Sequence, residues 1–163
     1  MIVEAEDPKT GQPIRFACAA EREQEIRDLL SFDLSEEALR KRIDRLDISA
    51  DAKSWLFTLA RKTIRVGQAV VQIGRKVLDL VITLLSEFPM TATGTMMGVI
   101  FGILLGNVPI LGVVLGPILG PLAIAMGFAM GSIQDLSNKA LERRIQASVA
   151  SFDGLKPKDA DAQ

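Results

Sequence analysis

Residues 88–134 read FPMTATGTMMGVIFGILLGNVPILGVVLGPILGPLAIAMGFAMGSIQ, 47 consecutive residues without one ionisable side chain. A hydrocarbon core about 30 Å thick takes roughly 20 helical residues, with about 17–25 observed. The run is too long for one crossing and suits two. Asn107-Val108-Pro109 is the obvious break, which predicts one span near 90–106 and another near 109–133. Pro117 and Pro121 fall inside the second. Each removes a backbone donor, which a membrane tolerates where protein re-satisfies the freed carbonyls.

The glycines in this run are ordered. Gly94, Gly98, Gly102 and Gly106 recur at i+4, and Gly112, Gly116 and Gly120 repeat the spacing. After a one-residue slip Ala123, Gly127 and Gly131 continue it. Each series makes a flat stripe along one helix face, where two backbones can approach closely and gain dispersion and Cα–H···O contacts. In these residues, about Gly94–Gly131, the chain resembles at class level the glycine-zipper membrane proteins. That resemblance implies helices that assemble into homo-oligomeric channels or pores. The competing arrangement is two spans zipped against each other within one chain.

Working outward, charge is unevenly placed. Residues 1–50 carry a net −4, residues 51–87 a net +3, and residues 88–134 and 135–163 a net of zero, which accounts for the overall −1. Arg61, Lys62, Arg65, Arg75 and Lys76 precede the apolar run and Lys139, Arg143 and Arg144 follow it, while the connecting turn has no charge. The positive-inside rule then predicts a multi-pass protein of the cytoplasmic (inner) membrane with both termini in the cytoplasm and Asn107 on the far side.

Upstream, a helix opens at Ser49-Ala50-Asp51 and meets no proline before Pro89. Leu56, Leu59, Thr63, Val66, Val70, Ile73, Val77, Leu80 and Leu84 alternate at spacings of three and four, a heptad seam. Arg61, Lys62, Arg65, Gln68, Gln72, Arg75, Lys76 and Asp79 fall opposite. One helix of roughly 38 residues would be about 57 Å long. Its basic stripe is read as a solvated face, or as contact with anionic headgroups or an aqueous vestibule.

Residues 1–19 read as a β-hairpin around Asp7-Pro8-Lys9-Thr10-Gly11, and residues 20–31 and 35–46 as helices, the second capped by Ser35. Residues 133–152 read as an amphipathic helix with Ile133, Leu136, Ala140, Leu141, Ile145 and Val149 apolar. The whole predicts a mainly α membrane protein. Its parts are a cytosolic αβ cap (1–50), a long amphipathic stalk helix (51–88), a transmembrane hairpin (89–134), a C-terminal cytosolic helix (135–153) and a disordered tail (154–163).

Composition narrows the chemistry. The chain has no His and no Tyr, and Cys18 is its one cysteine. His-based acid–base catalysis, a Cys–His pair, an internal disulfide and the common zinc sites are excluded. Cys18 reads as a buried cytosolic thiol. No basic excess suggests a nucleic acid, and the acidic, Pro- and Gly-broken start reads as no signal peptide. No enzyme, cofactor or metal is predicted.

The leading reading is a homo-oligomeric cytoplasmic-membrane channel or pore, in the role of a toxin or defence effector, with the bilayer and its own copies as partners. Gly94, Gly98, Gly102, Gly106, Gly112, Gly116, Gly120, Gly127 and Gly131 are the helix-packing residues. Arg61, Arg65, Arg75, Lys76, Met97, Phe101 and Asn107 are candidates for pore lining or headgroup contact, with Met96, Met97 and Phe101 forming a constriction that gates by dewetting. The alternative is a non-conducting membrane-anchored adaptor whose cap recruits a protein partner. A third reading resembles the colicin-type arrangement, a buried apolar hairpin that inserts on demand. It fits poorly, because three amphipathic helices can hardly cover so long a run.

Overall fold

Turn chemistry reverses the chain first. Asp7 Oδ1 accepts the Lys9 N–H at 2.8 Å, Gly11 donates its N–H to the Asp7 carbonyl at 2.7 Å, and Gly11 takes φ +72°. The flanking residues pair as β1 (Ile2–Glu6) and β2 (Pro13–Ala17), antiparallel, with Val3 opposite Phe16. The computed structural model describes residues 1–18, 24, 27–28, 34–88, 93–128 and 138–157. The helix predicted over 20–31 lies almost wholly outside them. Gly131, Ile133 and Leu136 also lie outside.

Two serine caps start the next helices. Ser35 Oγ accepts the Ala38 N–H at the head of α1 (Glu36–Asp44), and Ser49 Oγ accepts the Ala52 N–H at the head of α2 (Ala50–Ala60), each bond 3.1 Å long. Each such cap is worth about 1 kcal/mol.

The long helix predicted over 51–88 does not form. After α2 the chain makes a second hairpin, β3 (Ile64–Val66) and β4 (Ala69–Val71), and only then α3 (Ile73–Glu87). Gly67, at φ +63°, supplies the left-handed residue that a two-residue hairpin turn requires. Ile64, Val66 and Val71 alternate inward while Val70 stands 53% exposed, a period of two over residues that also fit a period of three and four. β-branched density decides for strand.

β3 pairs with β1 through Val3↔Val66 and Glu4↔Arg65, giving a four-stranded antiparallel sheet in the order β2-β1-β3-β4. A lone hairpin is marginal in water; here the two hairpins complete one another. Val3, Ala5, Ile64, Val66 and Val71 point into the core, and Glu4, Arg15 and Arg65 face outward.

The apolar run breaks at Val108, as the sequence suggests, into α4 (Thr93–Asn107) and α5 (Pro109–Met126). α4 packs among α3, α5 and α6 (Lys139–Val149), and α5 packs on α2 and β1. α3 approaches α2 closely: the Gly74 N–H donates to the Lys62 carbonyl at 3.0 Å, and a Cβ at Gly74 would sit 1.9 Å from the Leu59 carbonyl oxygen. After α6 a 3-10 turn, Ala150–Leu155, buries Phe152 and Leu155, and Pro157 bridges to Cys18. The disordered tail predicted from Gly154 is therefore corrected for residues 154–157, because Leu155 has a core site to fill. The described chain is mostly helical around one small sheet.

Candidate functional site

α4 and α5 are both uncharged and apolar, and their settings are opposite. α4 is buried on every side along Met96–Phe101, with Leu104 below, and the Phe101 ring lies 6.5 Å from that of Phe128, 12° from parallel. α5 has two distinct faces. Ile110, Leu111, Val114, Leu115, Ile118, Leu119 and Leu122 form its buried stripe. Gly116, Pro117, Gly120 and Ile124 are exposed on the other side, Ile124 to 85%, flanked by half-buried Gly112, Val113 and Pro121.

A solvated helix face ordinarily carries charged or polar side chains. This one carries none. The prolines open it further: Pro117 and Pro121 have no N–H, so the carbonyls of Val113 and Pro117 lose their i+4 donors. Hydrocarbon against those carbonyls would leave them unsatisfied. Large side chains are sparse there, exposed Ile124 standing at its end, and nothing lies within 4 Å of where a Cβ would stand at Gly116 or Gly120. From Gly116 to Gly120 the face is neutral and open.

The glycines of the two helices have unlike surroundings. Gly106 is exposed with nothing near its Cβ position, Gly112 meets Leu105 Cδ2 at 3.8 Å, and Gly94 meets Phe128 Cβ at 3.4 Å. Gly98 is buried and Gly102 half-buried. Gly127, in the left-handed conformation at φ +70°, ends α5.

The membrane topology is corrected as well. Among the described residues α5, with 18 residues, is the one helix long and apolar enough to cross a membrane, and 39% of it is buried in the protein. α4 has 15 residues and rises about 22 Å, short of a core about 30 Å thick. One such helix does not make a multi-pass protein, and the two-span reading with both termini in the cytoplasm is overturned. A helix of this kind also occurs at the core of globular domains.

The other predicted residues are dispersed, because the helix that would have aligned them is broken. Arg61 caps α2 at its C-terminal end, exposed, and Arg65 stands on the outer face of β3 opposite Glu4. Arg75 lies 3.8 Å from the Glu36 carboxylate and donates to the Leu34 carbonyl at 3.4 Å. Lys76 is half-buried; its Nζ donates to the Ser151 carbonyl at 3.3 Å and lies 4.9 Å from the Phe152 ring centre. Burial holds its pKa below the usual lysine value. Met96, Met97 and Phe101 are fully buried in the core, and Asn107 is exposed at the α4–α5 turn. Cys18 is a buried free thiol, its pKa raised by desolvation, and so a weak nucleophile.

The residues that the glycine spacing overlooks are those of α5's other stripe. The series Leu111, Leu115, Leu119 and Leu122 runs beside Gly112, Gly116 and Gly120 at the same period, so the segregation of large from small side chains was present in the sequence. Neither a family model, nor a curated protein, nor a solved structure matches the chain.

Proposed function

We propose that the protein is a self-assembling, membrane-active protein of the pore-forming kind, in which copies meet through the outer face of α5. The carrying observation is that this face is exposed and uncharged at Gly116, Pro117, Gly120 and Ile124, with half-buried Gly112 at its edge, while the leucine stripe of the same helix is turned inward. A lipid-facing surface favours bulky apolar side chains; a bare one favours another helix, whose backbone can come close. Each copy contributes α5, the one described helix with the length for it. In a bilayer the leucine stripe would exchange protein for lipid of equal apolarity, and the glycine stripes would hold neighbouring copies together. The sheet and α1–α3 remain as the shell of each subunit.

Gly116→Leu and Gly120→Leu test this directly. The space beside both positions is open, so the variants are expected to fold and melt at or above the wild-type temperature. Wild-type protein should form a defined oligomer by mass photometry in mild detergent and release dye from liposomes. Either substitution should return it to monomer and abolish release. A wild-type chain that stays monomeric and leaves vesicles intact would sink the proposal. An oligomer that binds vesicles without releasing dye would favour the non-conducting anchor.

A further inference from the structure

α4 is covered on its remaining side by the segment that follows the apolar run. Leu141, Ile145 and Val149 of α6, with Phe152 and Leu155 of the turn after it, are all at most 5% exposed. Five buried apolar side chains in fifteen residues are a large contribution at about 1.5–3 kcal/mol each. The segment runs antiparallel to α3 and is fastened to it at both ends by polar contacts. At the far end of α3 the Arg144 guanidinium grips the Glu87 carboxylate with two hydrogen bonds, 2.9 and 3.1 Å. At the near end the Lys76 amine reaches the Ser151 carbonyl and the face of Phe152. Beyond that, Pro157 bridges to Cys18 beside β2.

These fastenings differ in kind from everything they enclose. Among the described residues the Cys18 thiol is the one titratable group classed as buried, and α4 and α5 themselves carry no ionisable side chain. The clasps sit at the rim, with the Arg144 and Glu87 side chains 44% and 39% exposed. Half-exposed ion pairs are weak and are screened by salt. They also supply what the apolar contacts lack, a fixed register of α6 along α3.

We infer that residues 138–157 form a strap that keeps the apolar surface of α3 and α4 closed, and that its release, which uncovers α4, is the first step in exposing the α4–α5 hairpin. α5 is held from another side, by α2 and β1, so opening the strap uncovers α4 without dismantling the sheet. The role in release rests on the membrane-active reading above; the cover itself does not.

The test is charge reversal with rescue, on the full chain. Arg144→Glu places like charges at the clasp, and the double variant Glu87→Arg with Arg144→Glu restores an ion pair in the opposite sense. Hydrogen–deuterium exchange should show α6 and the facing amides of α4 opening together, about three- to tenfold faster in Arg144→Glu. The double variant should return both to the wild-type rate. Dye release from anionic vesicles should rise and fall in parallel. Faster exchange in α6 with α4 unchanged would overturn the strap, as would equal dye release by all three proteins. Equal release leaves the pore reading standing. Dye release by none of them would overturn the pore reading and, with it, the release step. Recovery of exchange in the double variant separates a lost clasp from general misfolding.

Discussion

α4 and α5 are adjacent, uncharged and apolar, yet one is a core helix and the other is half a surface. In α4 every residue from Met96 to Phe101 is buried, Gly98 of its own glycine stripe included, and α3, α5 and α6 pack around it. In α5 the buried large side chains share one stripe, and Gly116, Pro117, Gly120 and Ile124 stand exposed on the other side. Absence of charge therefore distinguishes neither lipid from core nor core from interface. Nor does a glycine stripe alone, since α4 carries one whose Gly98 is buried while Gly116 and Gly120 of α5 are exposed; the elements that pack against each helix make the difference.

The largest effect that would sharpen this contrast is a truncation on each helix. Phe101→Ala removes a fully buried ring from α4 and should cost about 3–5 kcal/mol, close to the whole stability of a small domain. Ile124→Ala, on the exposed face of α5, should stay within about 0.5 kcal/mol for the monomer. Urea unfolding of both variants measures the difference. Similar losses at the two sites would mean that α5 is covered as α4 is, and the contrast would fail.

Glycines give the second comparison. A methyl group at Gly74 would fall 1.9 Å from the Leu59 carbonyl oxygen, a backbone atom that cannot swing away. Gly74→Ala should therefore destabilise by about 3 kcal/mol through forced separation of α2 and α3. Gly116→Ala meets nothing and should stabilise the monomer by up to about 1 kcal/mol through helix propensity. Thermal melts of the two variants should move in opposite directions. If Gly116→Ala instead lowered the melting temperature of monomeric protein, its face would not be free.

Much of this organisation was legible in the sequence, and what was not has definite causes. The first hairpin, the Ser35 and Ser49 caps and the break at Asn107-Val108-Pro109 are local chemistry, fixed by residues within a few positions of one another. The second hairpin was hidden because Thr63, Val66, Val70 and Ile73 satisfy the heptad spacing, and one glycine among them reads as tolerable in a helix. Its strand identity is settled by β1, some sixty residues away, whose Val3 and Glu4 pair with Val66 and Arg65. Breaking that helix scattered the basic residues expected on one face. Of the candidate site, the positions of Gly112, Gly116 and Gly120 on one stripe were readable; that the stripe points out of the fold was not, because the Leu stripe's partners on α2 and β1 are distant in sequence. The four-stranded sheet and the strap together supply cover that three amphipathic helices alone would not.

The smallest expected effect concerns the rim of the α4 side, where the contrast between a charge-free core and a charged clasp can be titrated. Hydrogen bonds from Arg144 hold the Glu87 carboxyl below its usual range. A group whose folded pKa is depressed adds stability that is complete above its unfolded value, about 4.3 for Glu, and is lost as pH falls through the folded value. Asp7, lowered chiefly by the Lys9 backbone N–H, titrates in the same direction, so a wild-type acid profile sums the two. Subtraction isolates the clasp. Wild type should be more stable than Glu87→Gln at neutral pH, and the gap should close below about pH 4 and shrink in high salt. The gap should also be absent in an Arg144→Gln background, where the carboxylate has no guanidinium to answer it. A gap that persists at low pH would mean that Glu87 acts through packing rather than charge, and that the strap is held by its apolar side chains alone.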